Sequence, residues 1–126
     1  MAPAIRFTVK TRPTPAPRPR FGKGRAYMPK AVREYRAVIR QAWEDNASDP
    51  VPEGQPFRLR VRFFYETPAR TANSYPRAAD LDNLVKEVAD ALQGEGGPFL
   101  DDALMVRLVA EKAWGKHDAI EISIDW

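Results

Sequence analysis

The chain has 126 residues, 44% of them hydrophobic and 29% charged, with a net charge of +3, which suits one soluble globular domain with a modest core. It holds no cysteine and one histidine, which excludes disulfides, thiol catalysis, cysteine-ligated zinc or iron–sulfur centres and multi-histidine zinc sites. No apolar run approaches the ~20 residues of a membrane span, and the opening MAPAIRFTVK lacks a signal-peptide core, so the chain reads as cytoplasmic.

The charge is unevenly spread. Residues 1–40 hold eleven Lys/Arg against Glu34 alone, while residues 41–126 hold nine Lys/Arg against sixteen acids. A basic arm joined to an acidic body suits a protein that grips phosphates and holds a metal ion. A solvated basic surface is the plainer alternative.

Ala4 to Val9 alternates, with Ile5, Phe7 and Val9 on one side, and predicts a strand. Residues 11–30 are dense in proline and Lys/Arg, which forbids helix and sheet interior and predicts an extended arm within the domain. Phe21 and Tyr27 lie among its cations, and aromatic faces interleaved with positive charge suit unpaired or distorted nucleic acid. Pro29 fits a first helical position. From there Val32, Tyr35, Val38, Ile39, Ala42 and Trp43 form the apolar stripe of a helix to about Trp43. On another face Arg33, Arg36 and Arg40 form a basic ridge that continues the arm.

Asp45 to Gln55 reads as a loop. Phe57 to Glu66 alternates Phe57, Leu59, Val61, Phe63 and Tyr65 with Arg58, Arg60 and Arg62, as a half-buried strand with a basic outer face does. Thr67 to Ala79 is irregular and carries Arg70 and Arg77. Ala103 to Trp114 and Ala119 to Asp125 read as strands joined by a turn that puts His117 on the surface. The order of elements predicts an α+β domain over residues 1–126, two helices on one face of a four-stranded mixed sheet.

The stretch from Arg77 to Met105 carries the chemistry. Leu81, Leu84, Val85, Val88 and Leu92 make one helical stripe, with Asp80 at the N-cap position and Gly94 at the stop. Asp80, Asp82 and one of Asp101 and Asp102 could gather as an oxygen cluster for a hard divalent cation such as magnesium. The same residues also fit caps and turns, and Asp82 with Lys86, four apart, fits a surface ion pair. Spacing alone leaves both readings open.

Asp80-Leu81-Asp82-Asn83-Leu84, then Lys86, Asp90-Ala91-Leu92 and Asp101-Asp102, resembles the RusA family of Holliday-junction resolvases. Arg18-Pro19-Arg20-Phe21, Lys23-Gly24-Arg25, Tyr27, Pro29-Lys30 and Arg33-Glu34-Tyr35 resemble that family's basic loop and first helix, so the likeness spans nearly the whole chain. The resemblance implies a homodimeric, magnesium-dependent endodeoxyribonuclease of bacteria or prophages, acting in DNA recombination and repair, with manganese as a substitute ion. It implies metal ligation by Asp80, Asp82 and Asp102, with Asp101 as a further candidate, and a catalytic Lys86. Asp90 matches the motif as a support of the helix. Arg18, Arg20, Phe21, Lys23, Arg25, Tyr27, Lys30, Arg33, Arg36, Arg40 and Arg77 would face branched DNA. Two departures stand out: Ala78-Ala79 replace the basic residues that often precede the first aspartate, and Leu104 stands where a glutamine commonly follows the DD pair. A non-catalytic junction-binding protein and a metal-dependent nuclease for flaps, duplex or RNA are the competing functions.

Overall fold

The computed structural model describes residues 4–16, 20–22, 25–71 and 73–126. Its elements in chain order are β1 (Ala4–Val9), β2 (Arg20–Gly22), β3 (Arg25–Tyr27), α1 (Lys30–Asn46), β4 (Phe57–Glu66), α2 (Leu81–Leu92), β5 (Met105–Gly115) and β6 (Ala119–Asp125). A single 3₁₀ turn, Asp102–Leu104, leads into β5.

The main sheet runs β1-β6-β4-β5. β6 pairs antiparallel with β1 and with β4, whereas β5 lies parallel to β4 because α2 carries the chain back across the sheet. This is the α+β mixed sheet that alternation implied. The period-2 pattern of β4 sets Phe57, Leu59, Val61, Phe63 and Tyr65 into the core and leaves Arg58 and Arg60 exposed. Ile120, Ile122 and Ile124 of β6 and Ile5, Phe7 and Val9 of β1 extend the same buried layer. Onto it α1 sets Tyr35, Ile39 and Trp43, and α2 sets Leu84, Val88 and Leu92.

Three details depart from the sequence expectation. The arm is not wholly extended: β2 and β3 form a two-stranded hairpin of their own, in the one part of the arm without proline. Helix α1 begins after Pro29, which serves as its N-cap, and runs past Trp43 to Asn46, closing on Ala47 at φ 54°. Strand β5 starts at Met105 rather than Ala103, because Asp101 accepts a hydrogen bond from the Ala103 N–H at 2.9 Å and turns the chain first.

The turn between α2 and β5 is tightly held. Trp43 Nε1 donates to the Gly96 carbonyl at 2.9 Å, Arg40 donates to the Gln93 carbonyl at 3.0 Å, and the Phe99 ring stacks on Phe57 with centroids 4.7 Å apart. Gly97 is required there, since a Cβ at this position would collide with the Leu92 carbonyl and the Arg40 guanidinium. The turn that delivers Asp101 and Asp102 is therefore anchored to both α1 and β4.

Candidate active site

Asp80 occupies the N-cap of α2, in extended backbone at φ −76° and ψ 134°, yet its carboxylate makes no capping hydrogen bond. Asp82 lies in the first turn. Both are exposed, and neither has a side-chain hydrogen bond or ion pair among the described residues. Capping alone thus does not account for Asp80. The approach to it is fixed from β5, where Lys112 Nζ donates to the Ala79 carbonyl at 2.6 Å.

The basic arm starts beside these acids. Tyr65 donates its buried hydroxyl to the Pro13 carbonyl at 3.0 Å, the Thr14 N–H donates to the Tyr35 hydroxyl at 3.1 Å, and the Ala16 N–H donates to the Asn83 carbonyl at 3.2 Å. The last of these ties the arm to the residue after Asp82. Burial pushes the Tyr35 phenol up to about 12, against the lowering effect of the Thr14 N–H, and burial raises Tyr65 as well.

Lys86 is mostly exposed one turn beyond Asp82, with Nζ 3.1 Å from Asp90 Oδ2. Asp90 in turn lies 3.4 Å from Arg36 Nη2. Arg36 reaches Glu87 through Nε at 2.7 Å and Nη2 at 2.8 Å, a bidentate pair across the α1–α2 contact, and the Glu87 side chain is 2% exposed. Donating these hydrogen bonds to the Glu87 carboxylate raises the Arg36 pKa above its ordinary value.

The expected arginine ridge divides accordingly. Arg36 is engaged by Glu87 and Asp90, and Arg40 donates to carbonyls at the C-terminal end of α2, so Arg33 is the ridge residue left exposed. Lys30 pairs with Glu34 at 3.6 Å, and Arg77 is exposed three residues before Asp80. Arg18 and Lys23 lie outside the described residues, as do the side chains of Arg20, Phe21, Arg25 and Tyr27. The outer face of β4 is less basic than its sequence, because Arg58 pairs with Asp125 at 2.8 Å and Arg62 pairs with Glu111 at 2.6 Å.

The structure separates the acids that spacing grouped together. Asp80 and Asp82 stand at the start of α2, while Asp101 and Asp102 follow the turn after its end. Leu92, the last residue of the helix, lies ten residues beyond Asp82, a rise of ~15 Å. Consistently, no three acidic or histidine side chains among the described residues are disposed to hold one metal ion. Asp101 caps the 3₁₀ turn, whereas Asp102 has no side-chain partner among the described residues. The donor chemistry still fits magnesium, which is commonly held by one or two carboxylates and completes its shell with water and substrate phosphate.

Two contributors escaped the sequence reading. Glu87 falls three residues after Leu84, inside the apolar stripe, and an acid there signals a buried ion pair. Lys112 shares the helix-side face of β5 with Leu108 and Ala110, and a lysine on that face signals a partner across it.

No curated protein matches the chain in sequence. A family model described as Endodeoxyribonuclease RusA matches residues 10–125, from the end of β1 to the end of β6. The match takes in the arm, both helices and every acid discussed above, and the chain belongs to the RusA endodeoxyribonuclease family.

Proposed function

We propose that the chain is a magnesium-dependent endodeoxyribonuclease that resolves four-way DNA junctions by paired symmetric nicks, acting in the cytoplasm in recombination and repair. The observation that carries the reading is the exposed Asp80–Asp82 pair, without protein partners among the described residues, beside the root of a basic arm. Family membership supplies the reaction class.

Asp80 and Asp82 would hold the ion, with Asp102 as the third acid. When bound, magnesium neutralises charge at the scissile phosphate and makes water acidic enough to serve as nucleophile. Lys86, tethered to Asp90 rather than to Asp82, can swing its ammonium to the phosphate and stabilise the charge that develops on its oxygens. The arm from Pro13 through the β2–β3 hairpin tracks the DNA backbone, with Phe21 and Tyr27 as stacking surfaces and Arg18, Arg20, Lys23 and Arg25 as phosphate contacts. Lys30, Arg33 and Arg77 extend that track. Paired nicks call for two sites related by a two-fold axis, hence a homodimer.

The test is cleavage of a synthetic four-way junction beside matched duplex and flap, in magnesium and in EDTA, with wild type and Asp82→Asn. Magnesium-dependent nicks confined to the junction, reduced at least ~10²-fold in the variant while binding persists, bear the reading out. Equal cutting of all three substrates makes the chain a general nuclease. Undiminished cutting by Asp82→Asn removes the acid pair from the chemistry.

A further inference from the structure

The face of the main sheet turned away from α1 and α2 carries an open groove of about 870 Å³, for which the chemistry at Asp80 and Asp82 has no use. Strands β1, β6 and β4 form its floor, and their register sets the outward side chains in rows across the sheet. One row is Ala4, Asp125 and Arg58, the next is Arg6, Ser123 and Arg60, and the third is Thr8, Glu121 and Arg62.

Ion pairing clears the middle row of acid. In the first row Arg58 Nη2 lies 2.8 Å from Asp125 Oδ2, and in the third Arg62 Nη1 lies 3.4 Å from Glu121 Oε1. Both acids that line the groove are therefore matched within their own rows. Arg6 and Arg60 are exposed, and neither has an ion pair or a side-chain hydrogen bond among the described residues. Ser123 is half-buried between them, and its hydroxyl also has no partner among the described residues.

The donor set discriminates between anions. A single arginine fork satisfies a carboxylate, which has two oxygens. Two forks and a hydroxyl around one point suit a phosphate, whose oxygens accept from several directions. Two strand spacings put the Arg6 and Arg60 backbones ~10 Å apart, with Ser123 directly between, so the two long side chains can converge above its hydroxyl. Asp80 and Asp82 stand at the start of α2, on the helix side of the sheet. A phosphate over Ser123 is therefore not the one being cut.

We propose that the Arg6–Ser123–Arg60 row binds one backbone phosphate of DNA outside the cut, on an arm of the branched substrate that passes along the outer face of the sheet. This contact rests on branched DNA as the substrate and adds a second surface, opposite the acids. It grips the backbone and carries no sequence information of its own. A four-way junction sends an arm in each of four directions, so a protein seated at the exchange point meets DNA on more than one of its faces.

Salt-dependent binding of a four-way junction, measured in EDTA, reads the row without any cutting. Arg6→Gln combined with Arg60→Gln is expected to flatten the log–log slope by nearly one unit, the share of one phosphate, because the two side chains hold it together. Ser123→Asp, which sets a carboxylate between them as β6 already does at positions 121 and 125, is expected to flatten it equally with both arginines in place. Removing a matched pair, Arg58→Gln with Asp125→Asn, is expected to leave the wild-type slope. Bound junction is also expected to protect Arg6 and Arg60 from phenylglyoxal, read by mass spectrometry.

An unchanged slope in the double arginine variant, or full labelling of Arg6 and Arg60 in the complex, overturns the contact. A fall of about two units gives each arginine a phosphate of its own and overturns the shared cradle. With the slope unchanged, weaker binding of polyglutamate by the double variant assigns the groove to an acidic protein. Loss of stabilisation by inorganic phosphate in that variant assigns it to the free ion. Either result overturns the DNA contact. A protein that shows the expected slopes yet never cuts the junction in magnesium sinks the nuclease reading and supports the row.

Discussion

Helix α2 carries two sets of acids that differ in every physical respect. Glu87 and Asp90, on its middle turns, face α1 and are engaged by Arg36 and Lys86, with Glu87 almost fully buried. Asp80 and Asp82, at its start, face solvent with no side-chain partner among the described residues. A buried carboxylate must be paired, because leaving it alone costs several kcal/mol. An exposed carboxylate beside a basic arm has no such obligation, and its charge stays available to a ligand. The same division runs along α1, where Arg36 and Arg40 serve the fold and Arg33 stays exposed.

The largest expected effect lies on the buried side. Arg36→Ala strands Glu87 and should cost about 3–5 kcal/mol in denaturant unfolding, with a lower midpoint and an unchanged slope. A loss under ~1 kcal/mol would mean that Glu87 finds water or another partner, and would blur the contrast between the two sets.

Alkaline pH probes the anchor of the arm. Burial raises the Tyr35 phenol, 8% exposed, from its ordinary value of ~10 to about 12, so between these values the folded chain retains a proton that the unfolded chain has lost. Stability contributed by this group is therefore present below pH ~10 and falls as pH rises towards ~12, by about 2 kcal/mol, with Tyr65 adding in the same direction. Tyr35→Phe should flatten that part of the stability curve. An unaltered curve would show that the ring is not held away from water when the arm is docked.

The smallest effect separates the two kinds of arginine on α1. Arg33→Ala should reduce the log–log salt slope of DNA binding by nearly one unit, and Arg40→Ala should leave it unchanged. Equal losses at both positions would return Arg40 to the phosphate track.

Periodicity carried most of the fold. The alternation of Phe57 to Glu66 and of Ala119 to Asp125 located β4 and β6, because each strand has one face in the core and one in solvent. The hairpin of the arm was hidden by the prolines around it. The start of β5 was hidden by Asp101, whose cap on Ala103 is a local hydrogen bond that hydropathy does not register. In the site, the DLDN segment was legible at residue level. The distance between its two ends was not, since spacing along the chain does not say that α2 holds Asp82 and Asp102 apart. Nor does the sequence distinguish Arg33 from Arg36 until Glu87 is seen beneath the latter.

The most direct measurement is manganese binding by electron paramagnetic resonance, without DNA, on wild type, Asp82→Asn and Asp90→Asn. The account predicts binding that is lost in Asp82→Asn, retained in Asp90→Asn, and competed by magnesium, with all three proteins folded. Wild-type binding by Asp82→Asn, or its loss in Asp90→Asn, would place the ion at the partnered acids and contradict the claim that the exposed pair at the start of α2 is the metal site.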